Sequence, residues 1–340
     1  MKVTVFSAKP FEQDYYHQAD DRGLQLQFES APLSVATAAL ATGSQAISIF
    51  TNDDASAPVL DLLQQLGVQS IAIRAAGFNN IDCEHAKKLG LRVANVPAYS
   101  PYAVAEHTVA MILALNRKLI QADRQIRAYN FELDELIGFD LHGKRVGIIG
   151  LGQIGAIVAQ IMHGFGCTIL GSDPVVNATL QTRFGVEYMS VEELCSQADI
   201  ITLHAPLNDH TQHLVNKNLI EQMKPGVMLI NTGRGALLHT TEVMEALKTG
   251  KIGYLGMDVY EHEKDLFFYD HSQNIPLDDT FARLLSFKNV LITGHQGFLT
   301  KTALQNITDT TLYNLACWNQ QQASENELFP QAVPANLHIY

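Results

Sequence analysis

Gly150, Gly152 and Gly155 stand as G-x-G-x-x-G between two apolar runs, a spacing suited to holding phosphate. The run before them, Arg145-Val-Gly-Ile-Ile149, has the length and content of a buried parallel strand, and Ala156–Met162 after them has a helical pattern. The first glycine of such a turn permits the tight bend, the second lets the backbone approach a pyrophosphate, and the third lets helix pack on strand. The helix start supplies free N–H groups and partial positive charge. A second apolar run, Thr168–Ser172, ends in Asp173. A carboxylate at that strand tip can accept from both ribose hydroxyls and repels a 2′-phosphate, so the motif predicts NAD over NADP.

The elements around this motif alternate. Val3–Ser7, Ala46–Ile49, Ser70–Arg74 and Arg92–Ala94 are strand-length apolar runs, separated by helical stretches at Ser34–Thr42, Ala57–Leu66 and Cys83–Leu89. A long helical pattern, Ala103–Asn116, continues to about Tyr129. Beyond the glycines come the runs Ile200–Leu203, Val227–Asn231, Tyr254–Val259 and Val290–Ile292. This alternation predicts an α/β protein of two doubly wound parallel-sheet domains. An independent α/β pattern precedes the glycine motif, and chain remains after the last strand. The expected arrangement is a Rossmann nucleotide domain, 99–297, inserted into a flavodoxin-like substrate domain made of 1–98 and 298–340. Two chain crossings would then form a hinge, with Pro97 and Pro101 at the first and the active site in the cleft.

Composition narrows the function classes. With 340 residues, 47% apolar and 17% charged, the chain is expected to fold into two globular domains. A formal charge of −12 argues against nucleic acid and anionic membranes as partners. No run of eighteen apolar residues occurs, and Met1–Phe6 reads as a first strand instead of a signal peptide. The four cysteines are widely spaced, as expected of reduced thiols in a cytoplasmic protein. The thirteen histidines form no metal-ligand spacing, and neither GxSxG nor GxxxxGK[ST] is present, so no metal site and no hydrolytic mechanism is expected.

Across almost its whole length the chain resembles the D-isomer-specific 2-hydroxyacid dehydrogenases, and among them the fermentative D-lactate dehydrogenases. The resemblance is carried by Arg74-Ala-Ala-Gly-Phe-Asn-Asn-Ile-Asp82, Val96-Pro-Ala-Tyr-Ser-Pro101, Val104-Ala-Glu-His107 and the glycine motif. Further on it is carried by His204-Ala-Pro206, Asn231-Thr-Gly-Arg-Gly-Ala-Leu237, Met257-Asp-Val-Tyr-Glu-His-Glu263 and Gly294-His-Gln-Gly-Phe-Leu299. It implies three catalytic residues. Arg234 holds the substrate carboxylate and carbonyl oxygen with its planar fork of donors. His295 gives a proton to the carbonyl oxygen as hydride arrives, and Glu263 orients and stabilises the imidazolium. Glu261 lies close enough to compete for that last role; family register favours Glu263.

The same resemblance implies the remaining contacts. Backbone N–H groups of Ala76 and Gly77 bind the substrate carboxylate, and Tyr99 and Phe298 close the pocket over a small side chain. Gln153 and Ile154 offer N–H groups to the pyrophosphate, and Ala205 and Pro206 line the adenine side. Thr232 and Gly233 lie along the nicotinamide half, and Asp258 accepts from the carboxamide. Gly233 stands where the family often has Ser. The function implied is reversible NAD-dependent reduction of pyruvate to D-lactate. A larger 2-oxo acid such as phenylpyruvate, or an NADH-sensing regulatory role, remains open. The family habit is a homodimer or homotetramer, with the apolar Val104–Leu115 helix as the expected contact.

Overall fold

The computed structural model describes residues 1–264, 266–274 and 278–329; part of the second segment expected for the substrate domain, 330–340, lies outside them. Packing divides the chain into two units, Met1–Ser100 with Leu299–Tyr340, and Pro101–Phe298.

The first unit is built on β1 (Lys2–Val5), β2 (Gln25–Phe28), β3 (Ala46–Ile49), β4 (Ser70–Ile73) and β5 (Arg92–Ala94). These five strands pair in parallel, in the order β2-β1-β3-β4-β5. This is the flavodoxin-like winding, in which the chain reverses direction between β1 and β3. The central strands are apolar on both sides because helices cover both faces. Helix Lys301–Asn319 returns from the far end of the sequence and packs Leu312, Leu315 and Trp318 against Val3, Val5 and Ala72. Asn314 fixes it there by donating from Nδ2 to the Asn95 carbonyl at 3.0 Å.

The second unit holds β6 (Arg145–Ile149), β7 (Thr168–Ser172), β8 (Glu187–Tyr188), β9 (Ile200–Leu203), β10 (Val227–Asn231), β11 (Ile252–Met257) and β12 (Val290–Ile292). They form one parallel sheet in the order β12-β11-β10-β9-β6-β7-β8. The winding reverses between β6 and β9, as in a Rossmann fold, and at that point the strand C-termini leave a crevice. The expected fold class is therefore the observed one.

Two expectations fail at the level of elements. Ser34–Thr42 forms only a short 3-10 turn, Ala38–Ala41, because Thr37 turns its hydroxyl back onto the Pro32 carbonyl at 2.5 Å instead of continuing a helix. The long helical pattern toward Tyr129 is two helices, Pro101–Asn116 and Leu119–Arg127, broken where Lys118 takes a left-handed φ of 50°. Helix Pro101–Asn116 buries Val109, Ile112 and Leu115 in the core of its own unit. Strands β2 and β8 escaped the sequence reading. Among the described residues no helix is long and apolar enough to cross a membrane.

Candidate active site

The glycine turn follows β6 at the crevice. Gly150 has φ of 91°, and a side chain there would meet the Ala205 nitrogen at 2.5 Å and the His204 carbonyl carbon at 2.6 Å. Only glycine accepts both constraints. A side chain at Gly155 would run into the Gly150 carbonyl, so the helix sits directly on the turn. Gly152 differs: it caps helix Gln153–Gly164, and among the described residues nothing lies within 4 Å of where its side chain would project. The protein itself does not need glycine at this position, whereas a phosphate approaching the first N–H groups of the helix, those of Gln153 and Ile154, does. At the tip of β7 the Asp173 carboxylate accepts from Leu151 N at 2.7 Å and Val175 N at 2.8 Å, which fixes its orientation while leaving lone pairs over. These residues fit a dinucleotide. Ala205 and Pro206 follow β9 beside the turn, with the Pro206 carbonyl accepting from Thr211 Oγ1 at 2.6 Å. The preceding His204 has Nε2 buried without a partner among the described residues, and burial pushes its pKa down to about 4, so the ring is neutral.

Arg234 follows β10. The buried Asn231 side chain clamps its backbone, donating to the Arg234 carbonyl at 2.9 Å and accepting from Gly233 N at 3.1 Å. The guanidinium makes one hydrogen bond, to the Gly233 carbonyl at 2.8 Å. Among the described residues no carboxylate pairs with it, so most of its donors remain available to an anion. Thr232 is buried and shares a 2.8 Å hydrogen bond with Thr108, which ties this loop to helix Pro101–Asn116. At Gly233 a side chain would touch the Leu203 carbonyl at 3.3 Å, a tight but not closed space.

Three acids of the segment after β11 each take a different histidine. Glu263 accepts at Oε1 from His295 Nδ1 at 2.7 Å, and its other oxygen accepts from Tyr260 N at 3.0 Å. The His295 side chain is 17% exposed, and no described residue bonds its Nε2, so one nitrogen is held and the other is open. Glu261 instead accepts from His213 Nε2 at 2.5 Å. Asp258 lies 3.3 Å from His107 Nε2. Its carboxylate also accepts from Thr293 Oγ1 at 2.6 Å, Gln296 N at 2.9 Å and Gly297 N at 2.7 Å. Burial opposes its charge, but these hydrogen bonds prevail and hold its pKa at about 2. The Asp258 carbonyl accepts from His295 N at 2.7 Å, and His295 itself has φ of 52°. Asp258 thus grips both sides of the strained turn that presents the histidine, whereas a carboxamide contact was expected of it from sequence. Its partners His107 and Thr293 were not foreseen; Thr293 stands just before the quoted Gly294–Leu299 motif.

The expected residues of the first unit lie on its own loops. The Ala76 and Gly77 N–H groups have no acceptor among the described residues, and the Ala76 carbonyl accepts from Asn95 Nδ2 at 2.7 Å. Arg74, the one basic residue of that loop, is buried and bonded to Glu12, so it presents no charge to a ligand. Tyr99 is half-buried, its carbonyl accepting from Asn306 Nδ2 at 2.6 Å. Phe298 ends the His295 turn, also half-buried. Among the described residues no group of His, Cys, Asp and Glu could hold a metal ion.

Comparison with known proteins identifies similar chains and folds. Residues 109–297 match the family model described as D-isomer specific 2-hydroxyacid dehydrogenase, NAD binding domain. The chain is 47% identical over 329 residues to a D-lactate dehydrogenase of Escherichia coli (strain K12), covering 96% of this chain and 100% of that one. A structure titled as the pyruvate reductase of Chlamydomonas reinhardtii superposes with a TM-score of 0.89 at 40% identity, covering 96% of this chain and 98% of that one. A D-lactate dehydrogenase of Aquifex aeolicus complexed with NAD and lactic acid superposes with a TM-score of 0.85 at 31% identity, covering 97% and 100%.

Proposed function

The chain belongs to the D-isomer-specific 2-hydroxyacid dehydrogenases, and we propose that it is an NAD-dependent D-lactate dehydrogenase, reducing pyruvate reversibly to D-lactate. The observation that carries this reading within the family is the 47% identity, over 96% of the chain, to a D-lactate dehydrogenase, and the Glu263–His295 pair supports the chemistry. A carboxylate held at 2.7 Å from Nδ1 fixes the tautomer and supports the charged ring, while Nε2 is left for a substrate oxygen. When bound, the nicotinamide cofactor would supply the hydride as NADH in reduction and accept it as NAD+ in oxidation. Gly150, Gly152, Gln153, Ile154 and Gly155 would hold its pyrophosphate, Asp173 its ribose, and Ala205, Pro206, Thr232 and Gly233 its flanks.

The chain's own residues account for the rest. Arg234 grips the 2-oxo acid through its carboxylate and polarises the carbonyl, because its guanidinium has no counter-ion among the described residues. His295 donates the proton from Nε2 in reduction and takes it back in oxidation. Asp258 holds the turn that aims His295, and we keep its carboxamide contact as part of the proposal. Ala76 and Gly77 are proposed as further carboxylate donors, since neither N–H has an acceptor of its own. Tyr99 and Phe298 are proposed to limit the side chain that fits. We also propose a cytoplasmic homodimer or homotetramer; the unpaired thiols support that compartment.

Steady-state oxidation of NADH against a panel of 2-oxo acids, with chiral analysis of the product, tests the reading. Pyruvate giving only D-lactate is the expected result. Better turnover of phenylpyruvate would move the substrate to a larger acid, and no turnover with intact NADH binding would favour a sensing role.

A further inference from the structure

We infer that Glu261 is a positioning residue for substrate binding, its carboxylate bracing the loops after β9, β10 and β11 so that the Arg234 backbone keeps one conformation. The inference rests on the proposed role of Arg234 as the substrate's carboxylate partner.

The need for a brace follows from Arg234 itself. Among the described residues its guanidinium is tied only to the neighbouring Gly233 carbonyl, and no distant one of them fixes the long side chain. Where the fork points must therefore be set by the backbone beneath it. That backbone is held at its start by Asn231. Its later part turns through Gly235–Leu237 into helix Thr240–Lys248. Gly235 lies against the loop after β11 so closely that a side chain there would coincide with the Tyr260 carbonyl and the Glu261 nitrogen.

Glu261 closes this contact with both of its oxygens. Oε2 accepts from Thr240 Oγ1 at 2.8 Å and from Thr240 N at 3.3 Å, gripping the far end of the Arg234 loop. Oε1 accepts from His213 Nε2 at 2.5 Å, so the ring must carry its proton on that nitrogen. His213 reaches the carboxylate from the loop after β9 in a left-handed conformation, φ 51°, that residues with side chains rarely adopt. Its own N–H donates to the Ala236 carbonyl at 2.7 Å, within the Arg234 loop. Such strain persists only where surrounding contacts over-determine it. Burial works against the Glu261 charge, but the Thr240 and His213 hydrogen bonds outweigh it and lower the pKa, which keeps the brace ionised. Glu263, two residues on, bonds a different histidine, so the brace is separate from the proton path.

Kinetics on the full chain test this. Glu261→Ala should raise KM for pyruvate roughly ten-fold while kcat stays within about three-fold, because the brace governs the arginine's grip on the substrate carboxylate, a contact made in ground and transition state alike. The affinity for NADH and the pH limits of kcat should not move. Glu261→Gln should recover most of the lost KM, since an amide still accepts from Thr240 and can donate to the other tautomer of His213. His213→Ala should raise KM as well, and the Glu261→Ala/His213→Ala double variant no further than the larger single effect. Additive effects, an unchanged KM, or a displaced pH limit would overturn the inference. If Glu261→Ala fails to bind NADH through misfolding, Glu261→Gln, His213→Ala and their combination decide the matter by the same non-additivity. Arg234→Ala separates the two levels. If it leaves KM unchanged, the reading of the arginine fails; if it raises KM while the brace variants do not, only the brace is lost.

Discussion

Each unit contains a carboxylate paired with a basic side chain, and the two pairs differ in what they leave unbonded. In the first unit Arg74 is fully buried and donates to Glu12 from Nε and Nη2, each at 3.1 Å, to Ser48 Oγ at 3.2 Å and to the Phe6 carbonyl at 2.7 Å. In the second, His295 gives one nitrogen to Glu263 and keeps the other open, with 17% of the side chain exposed. Arg74 has few donors remaining, so its charge serves the fold, where breaking a buried pair strands the partner. His295 retains one exchangeable site, which is what general acid–base chemistry requires. Arg234, with one internal bond, stands with His295 in this respect. Remaining bonding capacity, more than charge or motif, distinguishes a scaffold pair from a reactive one here.

The comparison can be broken most forcefully at the scaffold pair. Glu12→Ala leaves the Arg74 guanidinium buried and unpaired, which costs about 3–5 kcal/mol of stability. Denaturant unfolding should show a loss of that order. A loss under 1 kcal/mol would mean that Arg74 is solvated or repaired by other groups, and the contrast with His295 would collapse.

Next in size is the reactive pair. His295→Ala should leave NADH binding nearly intact and lower kcat for pyruvate by roughly a hundred-fold, the usual contribution of a placed general acid. Fluorescence titration with NADH and steady-state kinetics on the same preparation measure both. Activity within a few-fold of the parent would make His295 a packing residue, like Arg74.

Asp173 extends the contrast to a carboxylate whose internal bonds, from Leu151 N and Val175 N, orient it without exhausting it. NADH should be preferred over NADPH by at least about ten-fold in kcat/KM, which corresponds to about 1.4 kcal/mol of repulsion and lost ribose contact. Asp173→Ser should narrow that ratio. Equal use of both cofactors by the parent chain would show that the carboxylate's task is confined to the turn.

The sequence was most legible where backbone geometry restricts residue choice. Gly150 and Gly155 are dictated by close approaches within the protein, and the flanking strands β6 and β7 are five-residue, largely apolar runs. Strand β2, Gln-Leu-Gln-Phe, was missed because it lies at a sheet edge and carries polar residues at alternate positions. Strand β8 is two residues long and has no periodicity to read. The helix break at Lys118 was invisible because its left-handed backbone falls on a residue with no conformational signature. Pairings among distant residues were the least legible part of the site. Asp258, Glu261 and Glu263 are near neighbours in sequence, but their partners His107, His213 and His295 come from three separate segments. Only the order of strands in the sheet decides which acid meets which histidine.

The smallest expected effect separates two of those acids. Glu263→Gln preserves shape and an acceptor for His295 but removes the negative charge beside the ring. An opposite charge within hydrogen-bond distance favours the protonated form of a base, so its loss favours the neutral form. Reduction of pyruvate consumes the protonated histidine, and the alkaline limit of that reaction should therefore move to lower pH. The displacement should be small, since the pair is partly exposed and solvent screens it. Oxidation of D-lactate needs the neutral ring, so its acid limit should move the same way and the reverse reaction should extend to lower pH. Glu261→Gln should leave both limits in place, because its histidine is His213. Full pH profiles of kcat/KM in both directions for the two variants make the measurement. A shift in Glu261→Gln, with none in Glu263→Gln, would exchange the roles of the two acids and place the reactive pair on His213.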